Sequence, residues 1–205
     1  MADMLAMSVN DFLTATAAKQ PTPGGGSVAA LTGALAASLA AMAMEYTVGK
    51  KAYAAHDAAV RGALQQFHQA SKLFRELLAE DVAAYAALSA LLKLSPEERA
   101  RNADYLPTVI AAIRVPQSVG ALAMNVLDLC ASLRDKTNKY ILSDLAIAAV
   151  LAHATVHGSE FNVCINLPLL GDVEEAAVIR KSTGELTARA DAAYSALRGG
   201  ILSQG

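Results

Sequence analysis

An all-α fold is what this sequence predicts, and three observations predict it. Apolar residues recur at spacings of three and four almost throughout, and no useful stretch alternates as a strand would. Alanine, the best helix former, carries much of the 54% hydrophobic content. At 205 residues, with 18% charged side chains and no Trp, the chain has the length of one domain. Residues 1–205 are therefore read as a single multihelical bundle.

The elements follow in order. In "SVNDFLTATAAKQ" Ser8 is placed to cap a short helix, Asp11 stands three residues on as its box partner, and Pro21 closes the segment. "PTPGGGSVAALTGAL" then sets Gly24, Gly25 and Gly26 directly before an alanine-rich helix. Ser27 is expected to cap that helix, which should stop near Gly49. Lys50 and Lys51 follow, where the negative end of the helix dipole favours cations. The next helix has the most informative pattern. Val60, Leu64, Phe67, Ser71, Phe74, Leu78, Asp81, Tyr85, Leu88 and Leu92 step by four and three, the seam of a bundle helix about 50 Å long. "SPEE" at Ser95 to Glu98 is a capping box with proline in the first turn. Pro107 and Pro116 interrupt the pattern between Glu97 and Arg134, which predicts two helices or one kinked helix. "DKTNKY" is a polar connector to the apolar helix "ILSDLAIAAVLAHATVHG", whose end Gly158 marks. "EFNVCINLP" is too short to assign and is closed by Pro168. The last helix runs from about Asp172, with Glu175 as box partner, to Gly199 and Gly200.

Composition removes several function classes. A formal net charge of -2 and a pI near 6.1 leave no electrostatic footprint for nucleic acid. Cys130 and Cys164 belong to no CxxC pair and read as reduced core thiols. Asp3 and Asp11 precede the first basic residue, Lys19, unlike a secretory or mitochondrial leader, so the protein is expected in the cytoplasm. From Gln20 to Met44 no charge occurs, and Ala29, Gly33, Ala37 and Ala41 form a small-residue stripe of the kind that packs membrane helices. Alanine contributes little driving force for leaving water, however, and the run opens on two prolines and three glycines. A closely packed bundle helix is expected rather than a span.

Few residues are placed for chemistry. Asp81 lies on a packing seam, where a carboxylate must be solvated, paired or protonated. Its structural reading is an ion pair at a helix crossing; its functional reading is a general acid or base in a partly dry cleft. The Gly24–Ser27 loop exposes N–H groups at a helix start but has no Gly-Lys-Ser/Thr ending, so it is not a P-loop, and on its own it reads as a tight turn before it reads as a binding loop. His153 and His157 stand at i, i+4 without the glutamate of HExxH, and beyond Glu160 no third ligand is near in sequence, so no metal is expected. His56 and His68 read as helix-surface residues. Ser143 and Asp144 read as a helix cap, whereas Asn162 and Asn166 flank the apolar "VCI" and need partners or a ligand. No nucleophile elbow occurs.

Together, "PTPGGGSVAALTGALAASLAAMAMEYTVGKKAY", "EDVAAYAAL", "SPEER", Val115-Pro116, "SDLAIAAVLA" and "FNVCINLP" resemble the cyclodeaminase/cyclohydrolase family of folate-processing proteins across nearly the whole chain. That family includes the C-terminal domain of formiminotransferase-cyclodeaminase and the stand-alone methenyltetrahydrofolate cyclohydrolase. The resemblance implies an all-helical homodimer acting on tetrahydrofolate derivatives with no metal or organic cofactor, and it places the acidic catalytic residue on Asp81. Lys50 or Lys51 is then expected to balance developing charge or meet the folate glutamate. Gly24, Gly25, Gly26, Ser27, Asn138, Ser143, Asp144, Asn162 and Asn166 are expected to bind substrate. The chain departs from many relatives at Thr137-Asn138, where they carry Gly-Asn. With 205 residues leaving no room for a formiminotransferase domain, the cyclohydrolase is the expected activity. Formiminotetrahydrofolate cyclodeaminase is the alternative, and a non-catalytic helical dimer the third reading.

Overall fold

In the computed structural model, which describes residues 4–202, every regular element among the described residues is helical. The α-helices are α1 (Val9–Ala17), α2 (Gly25–Glu45), α3 (Asp57–Leu91), α4 (Pro96–Arg101), α5 (Tyr105–Leu133), α6 (Leu142–Asn166) and α7 (Val173–Leu202), joined by short 3-10 turns. Ser8 caps α1 by accepting the Asp11 N–H, and Ser95 with Glu98 forms a reciprocal capping box at α4.

α2 is the inner helix, flanked by α3 and α6 with α5 beneath. Its small side chains make that position possible. Ala30, Ala36, Ala37, Ala40 and Ala43 are fully buried, and a Cβ on Gly33 would fall into the Phe74 ring of α3. The cap of α2 corrects one expectation. The helix starts one turn early, with extended Gly24 at the cap, and Ser27 sits inside it as the third helical residue. Ser27 is thereby free to turn its hydroxyl to a neighbouring helix. At the other end α2 stops at Glu45, and the chain turns through Gly49, whose φ of 71° suits glycine.

The α3 seam packs as its spacing predicts over Val60, Phe67, Ser71, Phe74, Leu78 and Leu88, while Tyr85 and Leu92 stay exposed. Its two polar members both find serines on α2: Ser71 pairs with Ser38 at 2.9 Å, and Asp81 accepts from Ser27 at 2.9 Å.

Two further expectations are corrected. The stretch from Glu97 to Arg134 does hold two helices, but the break falls between Arg101 and Tyr105 rather than at a proline, and α5 runs unbroken through Pro116. Pro116 lacks the N–H that would bond the Ala112 carbonyl. The Asn166 Nδ2 group of α6 donates to that carbonyl instead, at 3.0 Å. α6 likewise does not end at Gly158 but continues to Asn166, so "FNVCIN" is helical. Gly158 lies against Ala29 of α2, where lack of a side chain lets the helices approach.

These lengths create a gap. α2 begins level with Asp81, whereas α3, α5 and α6 run on past it and close over a smaller core of Leu88, Val109, Ala112, Ile113, Val163, Leu167 and Leu170. Between the start of α2 and that smaller core lies a pocket.

Candidate active site

The pocket holds about 320 Å³, at the lower end of the range for small-molecule clefts. Asp81 and Tyr85 enter from α3, Gly24, Gly25 and Gly26 from the start of α2, Val115 and Pro116 from α5, and Asn162 and Asn166 from α6. Leu88, Leu92, Ala84 and Ile165 supply apolar wall.

Asp81 is held at the start of α2 by two donors of one residue, the Ser27 hydroxyl and the Ser27 backbone N–H. It acts as a tertiary cap, giving an orphan N–H of the first turn its acceptor from another helix. Burial pushes the Asp81 carboxyl above its ordinary value, and the two Ser27 bonds pull the other way without cancelling it. Gly26 packs flat against the carboxylate: a Cβ there would overlap Asp81. At Gly26 glycine thus serves as clearance for the carboxylate, whereas a Cβ on Gly24 or Gly25 would meet nothing closer than 3.4 Å.

The amides face inward with their donors largely committed. Asn166 spends both Nδ2 hydrogens, on the carbonyls of Ala112 and Asn162, and so has only its oxygen left. Asn162 gives one to the Gly158 carbonyl, and its Oδ1 lies toward Gly25. The lining is therefore rich in acceptors, with the N–H groups of Gly25 and Gly26, which lack acceptors within their own helix, as its backbone donors.

Seven of the residues singled out from sequence thus converge here: Gly24, Gly25, Gly26, Ser27, Asp81, Asn162 and Asn166. The others do not. Lys50, Lys51, Asn138, Ser143 and Asp144 lie at the far end of α2 and α6, about 30 Å away along the helices. There Asn138 ties connectors together, donating to the Tyr46 carbonyl at 3.0 Å and accepting from the Tyr140 N–H. Ser143 and Asp144 make no cap either, because Ile141 occupies the cap position of α6. Sequence reasoning passed over Tyr85, Ser89 and Leu92 as pocket residues; the exposure of the last seam positions is their only signal, and it needs the fold. Among the described residues one group of His, Cys, Asp and Glu is close enough to hold a metal, His153, His157 and Asp191, and it lies outside the pocket.

The fold and site define a class: a helical bundle with one carboxylate in an acceptor-lined cleft, and no cation, thiol or imidazole among the described residues lining it. The sequence model of the formiminotransferase-cyclodeaminase family matches residues 8–185, and the chain belongs to that family. It is 31% identical over 169 residues to the methenyltetrahydrofolate cyclohydrolase of Methylorubrum extorquens, covering 80% of this chain and 81% of that one. It is 35% identical over 173 residues to the formimidoyltransferase-cyclodeaminase of Mus musculus, covering 82% of this chain but only 32% of that longer protein. The fold matches the crystal structure of formiminotetrahydrofolate cyclodeaminase from Thermotoga maritima with a TM-score of 0.88 and 25% identity, covering 97% of this chain and 98% of that one.

Proposed function

We propose that this protein is a methenyltetrahydrofolate cyclohydrolase, converting 5,10-methenyltetrahydrofolate and water to 10-formyltetrahydrofolate. The observation that carries the reading is charge complementarity. The substrate's bridging carbon sits between two nitrogens that share a positive charge, and the pocket offers a lone carboxylate, amide oxygens and apolar walls with no opposing cation among the described lining residues. The cyclohydrolase relative, matched over most of its own length, supports it.

The chemistry follows from the carbon's own electrophilicity, which makes metal and organic cofactor unnecessary. Asp81 attracts the cation and takes a proton from water as the carbon–oxygen bond forms. The adduct then collapses: the bond from carbon to N5 breaks, N5 gains a proton, the adduct hydroxyl loses one, and one proton leaves to solvent overall. The Gly25 and Gly26 N–H groups would donate to the adduct oxygen. Tyr85 offers a face for the flat pterin, and the open side of the pocket leaves the glutamate tail outside.

Cyclodeamination of formiminotetrahydrofolate is the second reading, favoured by the full-length structural match to the Thermotoga enzyme. It uses the same carbon with ammonia as leaving group, and a carboxyl with a raised pKa can supply the proton. One assay separates them. Loss of the methenyl chromophore in buffer is expected. Appearance of that chromophore with ammonia from formiminotetrahydrofolate would replace the first reading with the second, and neither change would leave a non-catalytic bundle.

The homodimer is also part of the proposal. Val28 and Leu35 of α2 and Ile147, Val150, Phe161 and Ile165 of α6 are exposed on the outward faces of two adjacent helices, a large apolar surface that calls for a cover. A two-fold axis perpendicular to α2 would set Lys50 and Lys51 of a second copy beside this pocket, which is how those lysines would reach the folate glutamates. Three helical stretches, Gly25–Glu45, Tyr105–Lys136 and Lys139–Leu169, are by length and composition apolar enough to cross a membrane. The burial of most of the first inside the bundle supports a water-borne dimer. Free Cys130 and Cys164, the former buried with its thiol pushed up to about 12, fit a reducing cytoplasm.

A further inference from the structure

We propose that His153 and His157 of α6 with Asp191 of α7 form a divalent metal site, taking a late first-row cation such as zinc and clamping α7 to the bundle. The site is structural and separate from the pocket, which none of the three lines. From sequence the histidine pair lacked a third ligand; the fold supplies it from 34 residues or more downstream. The Nε2 atoms of His153 and His157 both aim at one atom, Asp191 Oδ1, at 2.6 and 2.9 Å. All three ligand atoms lie within 4.8 Å of one another, so a small opening about their common point would give each the bond of about 2.0–2.2 Å that zinc takes to nitrogen and oxygen.

The surroundings already orient the rings. His153 stacks on Tyr194, centroids 4.8 Å apart, and meets His157 edge-on at 4.7 Å. The other ring nitrogen of His157, Nδ1, faces the Glu160 carboxylate at 3.9 Å, the outer partner that metal-bound imidazoles commonly have. Two neutral imidazoles and a carboxylate are the donor set that borderline cations prefer over calcium or magnesium. A divalent ion at their common point satisfies all three groups at once. α7 also stands to gain from a clamp. Over its 30 residues only Thr183, Thr187, Ala190 and Leu197 are buried, and an Arg189–Asp128 ion pair also links it to the bundle.

The test is titration of EDTA-stripped protein with zinc chloride in a calorimeter, with thermal melts in parallel. One zinc per chain and a higher melting temperature with zinc are expected. Both are lost in H153Q/H157Q and in D191N, E160Q weakens binding about 10-fold, and turnover without added metal stays that of the parent throughout. Copper(II) on the unmutated protein should give an EPR spectrum split by two imidazole nitrogens, an outcome that needs no variant to fold. Absence of saturable zinc binding, zinc binding retained in H153Q/H157Q, or a copper spectrum without nitrogen splitting would each overturn the site.

Discussion

Asp81 carries opposed influences, and each gives a measurable consequence. As the proposed base it must be ionised, so kcat/KM should fall on the acid side with a limb above the ordinary aspartate value of about 3.9, because burial raises its pKa. Ser27 lowers that pKa, so S27A should move the limb further up while leaving the alkaline side unchanged; an unmoved limb would mean that another group titrates. Replacing the acid by D81N should cut turnover by about 10² to 10⁴. Stability should go the other way. A carboxyl whose folded pKa is raised contributes stability below its unfolded pKa and loses it as pH rises through the folded one. At neutral pH the charge is therefore a burden that D81N removes, and the variant should melt no lower than the parent. A lower melting temperature would mark Asp81 as a structural partner rather than a working acid. The neighbouring glycines separate position from bulk. G26A must push the carboxylate aside and should lower kcat, whereas G25A places its Cβ 3.4 Å from Asn162 Oδ1 and should be mild by comparison.

Among the elements, α5 and α6 show how a helix survives a proline. Pro116 leaves the buried Ala112 carbonyl without its bond, and Asn166, 54 residues on, replaces it. N166A should then cost about 1–3 kcal/mol in chemical denaturation, the usual penalty for an unsatisfied buried group; P116A, which restores the N–H, should recover part of that loss in the double variant. Absence of any recovery would show that Asn166 acts elsewhere. This pairing also explains what was legible in the sequence and what was not. Helix starts that depend on a few neighbouring residues, Ser8 with Asp11 and Ser95 with Glu98, follow directly from local chemistry. The uninterrupted course of α5 through Pro116 and of α6 through Gly158 does not, because the compensation comes from another helix. Ser27 was misread for the same reason: a serine after glycines is a good local cap, but a carboxylate across the α2–α3 crossing outcompetes that role.

At the scale of the molecule, the pocket end was readable and the far end was not. Asp81, Asn162 and Asn166 stand out because a polar side chain on an apolar pattern demands a partner wherever the helices lie. Lys50, Lys51, Asn138, Ser143 and Asp144 carry no such tension, and within one chain the length of α2 separates them from the pocket. A role for the lysines at the pocket would require a second copy, which ties that proposal to the outward face of α2 and α6. Phe161 and Ile165 are each 73% exposed there, and Ile165 also borders the pocket, so a cover on this face would reach the mouth of the site. Sedimentation at micromolar protein should give twice the chain mass, and F161E should return it to the monomer with loss of turnover although its helical signal is intact. K50A/K51A should stay dimeric and raise KM for polyglutamylated folate more than it lowers kcat. A monomeric parent would remove the dimer and the lysines together, and flotation of the parent with liposomes would show that the apolar face meets lipid instead of a second copy.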